Sequence, residues 1–62
     1  MCLSNVYVIE ENEQRRLLCK NVAEVSTKGK SLRFIDVMGI PTDFEGEILK
    51  IDLVDNIIDV KA

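Results

Sequence analysis

Residues 3–9 read Leu-Ser-Asn-Val-Tyr-Val-Ile, LSNVYVI. The stretch is rich in β-branched and aromatic residues, which suit the pleated, half-buried surface of a strand. Side chains alternate across a strand, so Leu3, Tyr7 and Ile9 share one face, and Val6 and Val8 share the other. Glu10-Glu11-Asn12-Glu13 is polar and reads as a hairpin turn. Arg15 to Lys20 (RRLLCK) then returns as a second strand, with Leu17 and Cys19 on one face and Arg16, Leu18 and Lys20 on the other.

The same pattern continues along the chain. Asn21 marks a break, and Val22 to Ser26 gives a third short strand. Thr27-Lys28-Gly29-Lys30 is a turn in which Gly29 can take a positive φ. Leu32 to Met38 (LRFIDVM) is a strand with apolar residues on both faces, which calls for cover on both sides. In so small a chain the second cover is another subunit. Gly39 and Pro41 end this strand, because proline has no ladder donor. Glu45 to Val54 is the longest strand, with Leu49, Ile51 and Leu53 alternating with Lys50 and Asp52. Asp55-Asn56 turns the chain into Ile57 to Val60.

Breaks spaced by about 8–12 residues predict an all-β fold: a small barrel or sandwich of about six or seven short strands. Open sheets of short strands expose unpaired backbone groups. Closure into a barrel removes them, and so does pairing across a two-fold dimer. Both are expected here.

Composition narrows the function. Sixty-two residues make one domain, residues 1–62. A hydrophobic content of 47% excludes a disordered tail. No apolar run approaches the roughly 18 residues of a membrane span. The residues before Ser4 have no signal-peptide pattern, so the chain reads as cytoplasmic with Cys2 and Cys19 reduced. There is no His, which excludes a His-based catalytic triad or a Cys/His zinc site within one chain. A net charge of −3 weighs against a nucleic-acid partner, since phosphate neutralisation drives such binding.

Three groups of residues could carry chemistry. Glu45 and Glu47 share a strand face, with Asp52 and Asp55 nearby, but nothing in the pattern marks a pocket. They read as a solvated face, and the chain reads as a non-enzyme. An RNA-binding small β-barrel is the alternative function. It would use Arg15, Arg16, Lys28, Lys30 and Arg33 beside Tyr7, Phe34 and Phe44. The third group is cysteine. Cys19 alternates with Leu17 and reads as a buried structural thiol. Cys2 stands beside main-chain nitrogens at the start of the sequence. With Met1 removed, its amine and thiolate close a five-membered chelate; with Met1 retained, the Met1 amine, the Cys2 amide and the thiolate make a similar set. Such N and S donors suit square-planar Ni(II) or Cu(II). Zinc would want four tetrahedral ligands, more than one chain offers here. A two-fold dimer that brings two Cys2 residues together would supply two thiolates.

The start Met1-Cys2-Leu3-Ser4 with Tyr7 resembles the CooT family. The likeness runs on through the acidic hairpin turn, Val22-Ala23-Glu24-Val25, Leu32-Arg33-Phe34-Ile35-Asp36, Gly39, Gly46 and the stretch from Ile48 to Asp52. It therefore spans essentially the whole chain. The resemblance implies a small cytoplasmic, homodimeric nickel-binding protein with a β-barrel of the SH3/Sm-like type. It implies an accessory role, a metallochaperone delivering nickel to carbon monoxide dehydrogenase or another nickel-enzyme client. The family's nickel site depends on the cysteine after the initiator methionine, which maps onto Cys2 and onto no other residue here. No family role carries over to Cys19.

Overall fold

The computed structural model describes residues 2–62 and contains six strands. They are β1 (Ser4–Ile9), β2 (Arg15–Lys28), β3 (Ser31–Asp36), β4 (Pro41–Glu45), β5 (Glu47–Asp52) and β6 (Ile57–Lys61). One sheet holds them all, in the order β4-β3-β2-β1-β6-β5. Every neighbouring pair is antiparallel except β1 and β6, which run parallel, Val6 beside Ile58 and Val8 beside Val60.

In β1 the core lies on the face shared by Val6 and Val8, and Tyr7 on the opposite face is only half-buried. Val6 and Val8 point inward and are buried with Val22, Leu32, Phe34, Ile58 and Val60. Leu18, Cys19, Val25, Phe44 and Ile48 pack around this cluster. Burying such side chains stabilises by about 1.5–3 kcal/mol each for the larger ones, the dominant favourable contribution in a chain this small.

The sheet is not closed into a barrel, contrary to expectation. β4 and β5 are its two outer strands, and no ladder joins them. The reason lies at Gly46, the single residue between them. The chain passes there directly from one outer strand to the other, so β4 and β5 follow end to end instead of side by side. The Gly46 amide donates to the Lys30 carbonyl at 2.8 Å. A Cβ at this position would strike the Lys61 carbonyl oxygen and come within 2.7 Å of Phe44 Cε2. Gly46 is thus wedged between the turn before β3 and the end of β6, which only a residue without a side chain allows.

Other boundaries also differ from the sequence reading. Asn21 does not end a strand. It sits inside the 14-residue β2 at φ 55°, where the β1–β2 register shifts. This is a β-bulge, and Asn tolerates the left-handed conformation it needs. Pro41 does not stop strand formation either. It is the first residue of an outer strand, where its missing donor costs no ladder bond.

The expected apolar face of Leu49, Ile51 and Leu53 stands exposed, and Ile48 packs inward instead. A second register shift, between Ile48 and Lys50, reverses the alternation there, and Leu53 already belongs to the turn after β5. In β3, Leu32 and Phe34 are buried and Ile35 is half-buried. Val37 and Met38, expected to extend that strand, stand exposed in the turn beyond it.

Candidate metal centre

Cys2 lies two residues before β1, with its side chain exposed and its thiol free. The strand it leads into is firmly held. The Asn5 amide donates to the Asn56 carbonyl at 2.9 Å, and the Asn5 side-chain oxygen accepts the Asn21 amide at 3.2 Å. The Asn21 carbonyl in turn accepts the Val37 amide at 2.9 Å. This run of hydrogen bonds links the turn before β6, β1, β2 and the turn after β3. Cys2 therefore projects from a fixed anchor into solvent.

Among the described residues, no group of three or more His, Cys, Asp or Glu side chains could hold a metal ion. The described side chains do not assemble a cage around Cys2. A metal there needs main-chain nitrogens or a second chain. Met1, whose amine belongs to the expected donor set, lies outside the described residues.

Cys19 is a different kind of thiol. It is half-buried against the core and free of any disulfide. Burial pushes its pKa up and the Asp36 carboxylate adds to this, while a hydrogen bond with Thr42 pulls the other way. A thiol so placed gives little thiolate for a metal. Its packing fits the structural role expected of it.

The remaining candidates are dispersed. Glu45 and Glu47 straddle Gly46, the one ending β4 and the other beginning β5, and both are exposed. The Asp52 carboxylate accepts the amides of Val54 and Asp55 at 3.0 and 2.9 Å. Those backbone bonds hold its pKa below the usual carboxylate range, the Asp55 amide foremost and Lys50 assisting.

Of the five cations nominated for nucleic acid, three have carboxylate partners. Arg15 bonds Asp59, Arg16 bonds Glu10 and Arg33 bonds Asp43, each with a closest approach of 2.7–2.8 Å. Tyr7 is covered by the Arg15 guanidinium, 5.2 Å from the ring centroid, and Phe34 is buried. Neither ring is free to stack on a base.

Two features escaped the sequence reading. Asp36 accepts the amides of Met38 and Ile40, both at 2.9 Å, and so fixes the turn after β3. Asp52 does the same for the turn after β5. The spacing Asp36-Val37-Met38-Gly39, an Asp that can bond two residues on with a glycine closing the turn, was the available signal for the first. Both turns carry exposed apolar side chains: Val37, Met38 and Ile40 in one, Leu53 and Val54 in the other.

Comparison with known proteins adds three findings. The family model described as CO dehydrogenase accessory protein CooT matches residues 1–61. Among solved structures, a candidate CooT from Carboxydothermus hydrogenoformans superposes with a TM-score of 0.87 at 17% identity, covering 97% of this chain and 95% of that one. At that identity the likeness shows the fold. No curated protein matches the sequence.

Proposed function

The chain belongs to the CooT family of CO dehydrogenase accessory proteins, and on that premise we propose that it carries Ni(II) on the Cys2 thiolate for delivery to a nickel enzyme. The client is carbon monoxide dehydrogenase or another nickel enzyme. The protein acts as a cytoplasmic homodimer, with Cys2 at or near the subunit interface. Nickel is cargo here and not a resident catalytic group.

The observation that carries this reading is the contrast between the two thiols. Cys2 is exposed beside the anchored start of β1, while Cys19 is half-buried with its pKa raised. Only the first is placed to take up and surrender a metal. The donor chemistry fits as well. A thiolate with adjacent main-chain nitrogens favours square-planar Ni(II). Metal binding deprotonates the thiol, so affinity rises with pH. An open site also suits transfer, because an incoming ligand from the client can attack the metal before the Cys2 bond breaks.

Equilibrium dialysis of reduced protein against Ni(II) tests the proposal. Wild type retains nickel and Cys2→Ser does not, while Cys19→Ser retains it as wild type does. Equal retention by the Cys2→Ser variant refutes the assignment.

A further inference from the structure

We infer that Asn5 is the positioning residue of the proposed nickel site: its side-chain oxygen fixes the bulge from which Cys2 projects and so sets how tightly Cys2 holds the metal. The inference rests on the nickel reading and extends it to a residue three positions from the thiol. Asn5 stands where both ladders of β1 are irregular or begin. The ladder with β2 slips there: Ser4 pairs with Val22 and Val6 with Cys19, so Asn5 faces both Lys20 and Asn21. The parallel ladder with β6 begins with Asn5 beside Ile57. Ser4 is therefore held by β2 alone, beyond the slip.

The slip leaves a backbone donor to satisfy. Asn21 takes φ 55° at the bulge, and its amide donates to the Asn5 side-chain oxygen at 3.2 Å. The Asn5 amide donates to the Asn56 carbonyl at 2.9 Å, and Asn56 itself sits at φ 57°. One residue thus ties β1 to β2 through its side chain and to the turn before β6 through its main chain. Asparagine suits this place, because its short side chain carries an acceptor that reaches a neighbouring backbone amide. Bulges re-aim the chain that leaves them and recur beside functional sites. The chain that leaves this one is Leu3 and Cys2.

The proposed donors include main-chain nitrogens beside the Cys2 thiolate, so the metal needs the backbone itself in one conformation. Backbone freedom that remains before binding is entropy lost on binding. Holding Ser4 and Asn5 restricts where the residues before them can go. Removing the Asn5 oxygen leaves the Asn21 amide without its partner and loosens the slipped part of the ladder that holds Ser4. The thiolate and the nitrogens stay chemically the same. Nickel therefore still binds to such a variant with the same kind of absorption bands, but less tightly.

Titration of the reduced, metal-free full chain with Ni(II), followed by the thiolate-to-nickel bands, tests the assignment with three variants. Asn5→Ala removes the acceptor and should bind about three- to tenfold more weakly, short of the roughly 10–100-fold lost with a group bonded directly to a metal ligand. Asn5→Asp keeps an oxygen acceptor and should titrate as wild type; in about 1 M sodium chloride its added charge is screened beyond about 3 Å. Asn21→Gly keeps the amide and tolerates the positive φ, so it should also match wild type. The Asn5–Asn21 bond is exposed, so circular dichroism should show each variant folded. A merely structural Asn5 would lower the urea midpoint of Asn5→Ala and leave its nickel affinity at the wild-type value. That result overturns the inference and leaves the nickel reading standing. Failure of Asn5→Asp to restore the affinity overturns it too. Wild type without the bands, or Cys2→Ser with them, refutes the nickel reading itself, and the inference falls with it.

Discussion

Arg15 on β2 reaches across β1 to Asp59 on β6, its Nη2 lying 3.0 and 2.8 Å from the two carboxylate oxygens. The guanidinium lies over the Tyr7 ring of the intervening strand. Three strands are therefore joined by one side-chain cluster, in addition to their ladders. Asp59 is buried and Arg15 is only half covered. Removing the arginine leaves a buried carboxylate without its partner, the costly case for ion pairs. Because Arg15 is partly exposed and screened, the expected loss for Arg15→Ala is about 1–2 kcal/mol, below the full cost of a buried pair. Urea unfolding checks this. A double variant that also replaces Asp59 with Asn should recover part of the loss.

Gly46→Ala should cost more than a surface substitution. The added methyl meets the Lys61 carbonyl and the Phe44 ring, and a backbone atom cannot swing aside. Overpacking of this sort costs about 1–3 kcal/mol. The expected signature is a lowered urea midpoint with an unchanged slope, because the unfolded state is unaffected.

Acid should weaken the fold through Asp43 and Asp52. Both have folded pKa values lowered from the ordinary carboxylate value, Asp43 by its bond from Arg33 and Asp52 by backbone amides. A lowered folded pKa means that the unfolded chain takes up protons first. The stabilisation is present above the unfolded value of about 3.9 and is lost as pH falls through the folded value. Stability measured from pH 6 down to pH 2 should decline, and an Asp43→Asn/Asp52→Asn variant should decline less steeply over the acid range. Equal slopes would show that these two groups do not carry the acid response.

The two cysteines should differ in reactivity. Thiol-specific reagents attack the thiolate. Cys19 is half-buried with a raised pKa, so it should react after Cys2 in the folded protein and at a similar rate in urea. Cys19→Ala should lower stability by about 1 kcal/mol through lost packing without changing nickel retention.

Much of the fold was legible in local pattern. Val6 and Val8 share a face as the alternation of LSNVYVI requires, and so do Leu32 and Phe34 in β3; which face turns inward is set by what the sheet packs there. The failures share a cause. Period-two reasoning assumes regular pleating, and the bulges at Asn21 and Leu49 break it. The first joins two expected strands into one; the second leaves Leu49 and Ile51 in solvent. Ladder partners are not local either. Nothing near Arg15 announces a partner 44 residues away, and nothing in Glu45-Gly46-Glu47 shows that the two edges of the sheet meet end to end there. The candidacy of Cys2 rests on a simpler reason, joined to the family resemblance. The chain has no His and only one other cysteine, so few residues could compete for a soft metal.

The most direct measurement is the ultraviolet–visible titration of reduced, untagged protein with Ni(II), run in parallel on Cys2→Ser. Wild type should develop thiolate-to-nickel charge-transfer bands that saturate at a defined nickel ratio, and the variant should develop none. Absence of the bands from wild type, or their persistence in Cys2→Ser, would contradict the claim that Cys2 carries the metal.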